Sequence, residues 1–211
     1  MLSFLDKQIK MDSADDAESV AKQIEECPTL RTLELRGNTV GVEAGRRLAQ
    51  ALEMHPELEA NGEWFIGFVL PSACSHDYRT ILTRISDRCL WSDMFTGRLK
   101  SEIPPILRSM CSAMINAHCH ITELDLSDNA FGPIGTEGIS QFLVSKSAYS
   151  LQVLKLNNNG LGAGGKTIAE CLLKCHRNAS ADGHEFKLKT FVAGRNRLED
   201  PGAKALAEAF T

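Results

Sequence analysis

The chain has 211 residues, of which 43% are hydrophobic and 24% charged, proportions typical of a globular protein with a buried core. Its 23 basic and 27 acidic side chains give a formal charge of −4, so the composition does not favour a nucleic-acid-binding protein. An apolar run of eight residues at 64–71 is too short to cross a bilayer. Seven cysteines without C-x-x-C pairs indicate reduced thiols in the cytosol.

A register of the form L-x-x-L-x-L-x-x-N-x-L-G recurs along the chain and predicts short strands that end in turns. In the first copy, Leu33 and Leu35 face the same side of a strand because strand side chains alternate with period 2. The asparagine that follows can satisfy backbone groups in the turn through its amide. The asparagines of the four copies are Asn38, Asn129, Asn159 and Asn196. We expect them to stack as a ladder.

A stretch with helical spacing of apolar residues follows each copy. After the first copy, Leu48, Ala49 and Leu52 form a stripe that predicts one buried helix face. A strand plus a helix in each repeat is the signature of leucine-rich repeats. We therefore predict an α/β fold, namely part of a ribonuclease-inhibitor-like leucine-rich repeat solenoid with a parallel sheet inside and helices outside. Each unit of such a fold buries its apolar side against its neighbours.

The spacing of the asparagines predicts a single domain over 1–211 that contains several repeat units. These units lie near 30–59, 90–120, 121–150, 151–187 and 188–211. Residues 60–88 do not match the register, and we interpret them as an insertion that bulges from the solenoid or is poorly ordered. Arg98 lies 31 residues before Asn129, which predicts that it occupies the asparagine position of its unit. There it would project a fixed positive charge from the rim. A residue that departs from the repeat pattern in this way indicates a functional position.

Two other motifs offer competing interpretations. Residues 160–167 satisfy G-x-x-x-x-G-K-T after a strand, the context of a phosphate-binding P-loop. The repeat argues against it, because Gly165 lies six residues after its asparagine and the other copies also have small residues there. Two groups could ligate a metal, but their cysteines fall on predicted helices, where cysteine is a small core residue; we predict no metal site. The groups are Cys111, His118, Cys119 and His120, and Cys171, Cys175 and His176.

Several longer strings go beyond the generic repeat. They are LRGNTVGVEAGRRLAQALE near the start, WSDMFTGRLKSEIPP at 91–105, LDLSDNAFGP at 124–133, LKLNNNGLG at 154–162 and FVAGRNRLE at 191–199. From about residue 8 to Thr211, except for 60–88, the chain resembles the leucine-rich repeat domain of Ran GTPase-activating proteins. The resemblance implies a crescent that binds the GTP-bound form of Ran along one rim and accelerates GTP hydrolysis. GTP and Mg²⁺ are then held by the partner, and the chain needs no cofactor of its own.

The resemblance also implies roles for individual residues, without an arginine finger of the kind other activators insert. Asn158 would help to hold the catalytic glutamine of Ran, and Arg98, needed for activity, would support the asparagine and the contact surface. Lys100 would contact Ran. The remaining positions that match the family near this rim are Asp128, Asn129 and Arg195. From the residues alone, a turn-capping amide is the better explanation of Asn158, and a non-catalytic interaction module remains the alternative function.

Further expectations concern the whole chain. The sequence ends inside the helix of its last unit, so we expect marginal stability and self-association through an apolar face. That face comprises Ala205, Leu206, Ala209 and Phe210. A solenoid needs polar caps on its terminal units. The resemblance implies a cytoplasmic protein, with a perinuclear location as a further option, and no contact with nucleic acid or membrane.

Overall fold

A computed structural model describes residues 1–28, 30–54 and 87–210, which form a layer of parallel strands and a layer of helices. The strands are β1 (Leu2–Ser3), β2 (Lys10–Met11), β3 (Thr32–Glu34), β4 (Thr39–Val40), β5 (Asp87–Leu90), β6 (Ile121–Asp125), β7 (Val153–Lys155) and β8 (Thr190–Val192). The helices are α1 (Ala14–Glu25), α2 (Val42–Glu53), α3 (Ile103–Asn116), α4 (Gly132–Leu143), α5 (Gly164–Ala181) and α6 (Glu199–Ala209). A 3-10 turn covers Lys146–Ala148.

The strands pair in the order in which they occur in the chain. Within the described residues, the main sheet has the order β1-β3-β5-β6-β7-β8 with every pair parallel, and β2 pairs with β4 in a smaller sheet. Each helix packs against the next, from α1 to α6. Leu33, Leu124 and Leu154 occupy matching positions on their strands and are buried between the layers. The predicted leucine-rich repeat solenoid is confirmed.

Residues 1–28 form a repeat unit that the register does not reveal. Leu2 pairs with Leu33, and the ring of Phe4 is 1% exposed in the core. Helix α1 begins at a capping box: Ser13 Oγ accepts from Asp16 N at 3.2 Å, and Asp16 Oδ2 accepts from Ser13 N at 2.8 Å. This first unit has Lys7 where the other copies have asparagine, which is why its register is not recognisable.

The predicted asparagine ladder is present. Asn129 Oδ1 accepts from Met94 N at 2.7 Å, and its Nδ2 donates to Trp91 O at 2.8 Å and Leu126 O at 2.9 Å. Asn159 repeats the arrangement one unit on, accepting from Asn129 N at 2.9 Å. Each ladder asparagine therefore ties its own turn to the preceding unit, and all four side chains are at most 2% exposed.

The prediction that Arg98 occupies the ladder position of its unit is wrong. Strand pairing aligns Cys89 with Leu124, and the ladder residue lies five positions after each of them. Met94 therefore stands where the other units have asparagine, and its backbone N–H donates to Asn129 Oδ1. Arg98 lies four residues further along, beyond the glycine of the register. The ladder is thus interrupted by an apolar side chain rather than by a cation.

The segment predicted to be an insertion, 60–88, falls almost entirely outside the described residues. Its last two positions, 87 and 88, are described and open β5, so the sheet begins before the predicted boundary.

A charge network lies on the face of the sheet opposite the helices. Glu123 has a side chain only 10% exposed and accepts from Arg88 and Lys155, each at 2.6 Å. Burial raises the pKa of the Glu123 carboxyl, but the hydrogen bonds from Lys155 and Arg88 more than offset this and hold it below its ordinary value. The carboxylate is thus stabilised in the folded state.

This network predicts a loss of stability in acid. Because the pKa of Glu123 is lower in the folded than in the unfolded chain, its contribution is complete above the unfolded-state pKa and is lost as pH falls through the folded-state pKa. We expect Glu123→Gln to lower the free energy of unfolding by about 1 kcal/mol near neutral pH and by less in acid. Urea melts of both chains at about pH 7 and about pH 3.5 measure this. An equal difference at the two pH values would contradict it.

Candidate functional site

The turn residue just before each ladder residue defines one polar edge of the solenoid, here called the rim column. All of its residues have a left-handed backbone, which favours glycine, asparagine and aspartate. They are Gly37, Asp93, Asp128, Asn158 and Arg195, with φ between 48° and 74°. Because the strands are parallel and in register, these residues follow one another along the same edge, about one strand spacing apart.

Asn158 and Asp128 are neighbours in the rim column and contact each other. Asn158 Nδ2 donates to Asp128 Oδ1 at 2.9 Å, and both side chains are exposed. The backbone is fixed as well, because Asn158 N donates to Gly194 O and Asp128 N donates to Asn157 O, each at 2.9 Å. The oxygen of the Asn158 amide forms no hydrogen bond within the described part of the chain. The carboxylate thus orients the amide and leaves its oxygen available to another molecule.

An open groove of about 390 Å³ adjoins Asn158 and is here called the rim groove. It is lined by residues 130–134 and 158–160 and by three exposed cations. The cations are Lys100, Arg195 and Arg197. Ile134 adds an apolar side chain that is 59% exposed. A chain of net charge −4 therefore has a local concentration of positive charge beside the Asn158 amide, which suits an acidic surface.

Arg98 does not project from the rim as predicted. Its side chain is 11% exposed, and Nη2 donates to Asp12 Oδ1 at 2.5 Å and to Met11 O at 3.1 Å in the first unit. Hydrogen bonds from Lys10 and Arg98 lower the pKa of the Asp12 carboxyl. The turn position equivalent to Asn158 in this unit is held by Asp93 instead. Arg98 is consequently committed to contacts within the chain.

The structure brings some predicted site residues together and separates others. Lys100, Asn158 and Arg195 line the rim groove, and Asp128 is bonded to Asn158. Asn129 is 2% exposed, and its amide is fully used by the ladder, so its side chain supports the rim from within the core.

Sequence reasoning missed two residues of the rim groove, Arg197 and Ile134. Arg197 follows the ladder residue of its unit, as Ala130 and Gly160 do in theirs, and the backbone is left-handed at all three. That repeat position is the signal that could have identified Arg197. Ile134 lies in the first turn of α4, where an exposed isoleucine breaks the amphipathic pattern.

The residues of the P-loop motif have structural roles. The backbone N–H groups of Gly164, Gly165 and Lys166 donate to carbonyls of the same turn, and Gly162 N donates to Asn196 O in the next unit. A Cβ atom at Gly165 would lie 2.6 Å from Leu198 Cδ2, so a larger residue there would displace the Leu198 side chain, and the glycine serves helix packing. These donors are therefore unavailable to phosphate groups, and in the part of the chain that the structure describes the helices lie on one side of the parallel sheet.

The cysteines that could have ligated a metal are core residues. Cys111 and Cys175 are at most 1% exposed, and burial raises the pKa of each thiol to about 12. No cluster of three or more histidine, cysteine or acidic side chains with metal-binding geometry occurs among residues 1–28, 30–54 and 87–210. Over the same ranges, no helix has the length and apolar character that a membrane span requires.

A parallel sheet in chain order, one helix per unit and a buried asparagine ladder define a leucine-rich repeat protein with a polar rim. The family model for the leucine-rich repeat matches residues 26–49 and 117–140. The chain is 53% identical to Ran GTPase-activating protein 2 of Caenorhabditis elegans, with 100% of the chain and 19% of that protein aligned. It is 48% identical to Ran GTPase-activating protein 1 of Xenopus laevis, with 99% of the chain and 31% of that protein aligned.

A further relative is the Ran GTPase-activating protein of Drosophila melanogaster, 38% identical over 99% of the chain and 30% of that protein. The chain thus spans less than a third of the length of these three relatives. It belongs to the family of the Ran GTPase-activating proteins and corresponds to leucine-rich repeat sequence within them.

Proposed function

We propose that this chain accelerates GTP hydrolysis by the GTP-bound form of Ran, using the rim column as the active surface. The observation that carries the proposal is the Asn158 amide, which is exposed at the rim and held by Asp128 Oδ1 at 2.9 Å. A side chain that must orient a group of another protein needs such preorganisation, since a freely rotating amide would have to be ordered on binding.

In the proposed mechanism, the Asn158 amide positions the catalytic glutamine of Ran, which in turn aligns the attacking water. An ionised carboxylate accepts hydrogen bonds and cannot donate them, so Asp128 binds the nitrogen of the Asn158 amide. The oxygen of that amide therefore points away from Asp128. That oxygen can accept from the glutamine –NH₂, which leaves the glutamine oxygen to accept from the water. The role of Asp128 is to fix the direction of the Asn158 amide.

The proposal includes no arginine finger on this chain. Arg98 is 11% exposed and paired with Asp12, which supports a role away from the phosphates. Lys100, Arg195 and Arg197 would attract the partner through an acidic surface. We also propose that the chain holds no cofactor, that GTP and Mg²⁺ are bound by Ran, and that the protein acts in the cytoplasm without contacting nucleic acid or membrane.

A single-turnover assay of phosphate release from Ran·GTP tests the proposal. The chain is expected to accelerate release, and Lys100→Glu to raise the concentration for half-maximal acceleration about tenfold at low salt, with a smaller effect at high salt. Lys174→Glu, an exposed charge reversal on α5, is the matched control and should behave as the wild type. Binding without acceleration would indicate the non-catalytic interaction module, and equal effects of the two variants would argue against the rim groove as the contact surface.

A further inference from the structure

The loop that carries Lys100, residues 91–102, has no ladder asparagine of its own, and Asn129 of the next unit binds only the start of the loop, at Trp91 O and Met94 N. Met94 occupies the ladder position, and the tip of the loop at 96–101 is exposed except for Arg98. Hydrogen bonds within the loop join Thr96 Oγ1 to Asp93 Oδ1 at 2.5 Å and Leu99 N to Glu102 Oε2 at 2.9 Å. These bonds shape the tip but do not fix it relative to neighbouring units.

Arg98 provides the attachment that the ladder does not. Its Nη2 atom reaches the first unit, 2.5 Å from Asp12 Oδ1 and 3.1 Å from Met11 O. Within the described residues, the other hydrogen bond from the tip to a different unit is the long one of 3.5 Å from Thr39 Oγ1 to Thr96 O. The ion pair therefore spans two unit boundaries, from the third unit to the first.

The surroundings of Arg98 are built to receive its side chain. A Cβ atom at Gly41 would lie 3.1 Å from Arg98 Nη1, so a larger residue there would crowd the guanidinium. Arg98 Nε is buried and has no hydrogen-bond partner within the described chain. A guanidinium so largely removed from water depends on its carboxylate, since a buried charge without a partner is strongly disfavoured. Loss of Asp12 would thus release Arg98 and the tip.

We propose that Asp12 is a positioning residue for the activity: by holding Arg98, it fixes the 91–102 loop and thereby sets the position of Lys100 in the rim groove. The inference rests on the proposed function and extends it to the first repeat unit, whose residues lie far along the chain from the rim groove. It assigns Arg98 an indirect role through Lys100. It also explains why an arginine at this place need not touch the partner.

The first experiment measures the loop without any partner. Amide hydrogen exchange of Leu99 and Lys100 is compared in the wild-type chain, Asp12→Asn, Asp12→Glu and Asp15→Asn. Asp15 lies in the first turn of α1, is exposed and makes the same change of charge without contacting Arg98, so Asp15→Asn is the matched control. We expect faster exchange in Asp12→Asn only, with Asp12→Glu close to wild type. Unchanged exchange in Asp12→Asn would overturn the proposal.

The second experiment is the single-turnover assay with Ran·GTP over a range of chain concentrations. Asp12→Asn should raise the half-maximal concentration about tenfold with a smaller change in the saturated rate, because it displaces a binding residue. In the background of Lys100→Ala, Asp12→Asn should add little. Additive effects, or equal losses in Asp12→Asn and Asp15→Asn, would overturn the proposal. If the wild-type chain itself gives no acceleration, the proposed function fails, and Asp12 then has no role in activity whatever the exchange shows.

Discussion

Replacement of Asn158 by glycine is expected to lower the saturated rate of Ran·GTP hydrolysis about 100-fold, the size of effect seen when one preorganised polar group is removed from a transition state. Glycine is the informative substitution because φ at Asn158 is 50°, a conformation that glycine adopts without strain. Alanine would add roughly 1 kcal/mol of backbone strain to the loss of the amide. The assay is single-turnover phosphate release at saturating chain concentration.

Two companion variants make the result specific. His118→Gly removes an exposed side chain from another left-handed residue, φ 52°, between α3 and β6, so it controls for the backbone change and should leave the rate unaltered. Asp128→Gly, again without strain because φ at Asp128 is 60°, leaves the amide in place but frees its rotation, and we expect about a tenfold loss. A saturated rate for Asn158→Gly within about twofold of the wild type would remove the amide from the mechanism.

Replacement of Asn129 by alanine is expected to lower the free energy of unfolding more than Glu123→Gln does. The substitution leaves Met94 N and Trp91 O without the partners they have now, whereas Leu126 O still accepts from Asn159 Nδ2 at 2.8 Å. Two orphaned buried groups at about 1–3 kcal/mol each give a loss of about 3 kcal/mol. The free energy of unfolding from urea melts measures it.

Asn129→Asp keeps the hydrogen bond that the side chain accepts from Met94 N and removes the one that it donates to Trp91 O. The carboxylate can still accept from Met94 N but cannot donate to Trp91 O, so a comparable or greater loss is expected near neutral pH. Asn158→Gly, at the exposed neighbour of a ladder residue, should change stability much less. A loss below about 1 kcal/mol for Asn129→Ala would mean that water replaces the ladder bonds and that the ladder is not a main source of stability.

Much of the fold could be predicted because repeated residues act alike in each unit. The spacing of leucine and asparagine predicted the strands, the helices and the ladder, since each depends on local periodicity. The first unit could not be found this way, because it has Lys7 in place of asparagine and is recognisable only from its pairing with β3. The position of Arg98 was wrong for a related reason. Counting back from Asn129 ignored Gly97, which matches the glycine of the register and places Met94 at the ladder position.

The site was predictable where residues belong to the repeat and unpredictable where they belong to a contact between units. Asn158 and Asp128 occupy equivalent turns, so their neighbouring positions follow from a parallel register. The pairing of Arg98 with Asp12 joins residues 86 positions apart, and no periodicity relates them. Asn129 was predicted at the rim by its place in a motif, but side chains of adjacent residues in a turn point in different directions.

The apolar Met94 at a ladder position affects where the solenoid is expected to unfold first. At the other junctions, the amide of the ladder asparagine forms hydrogen bonds to the preceding unit. Met94 has no side-chain amide to bind the second unit, and among the described residues Asn38 N donates only to Leu35 O of its own unit, at 3.4 Å. Within the described residues, the boundary between the second and third units therefore has no ladder bond. It is held by strand pairing, by α2 against α3, by a backbone bond from Val40 N to Met94 O at 3.0 Å and by side-chain bonds such as Asn116 Nδ2 to Glu53 Oε1 at 2.8 Å. Linear arrays separate where coupling between neighbours is weakest. Under mechanical load, the first two units should detach together, and the Arg98–Asp12 pair crosses the gap that would open.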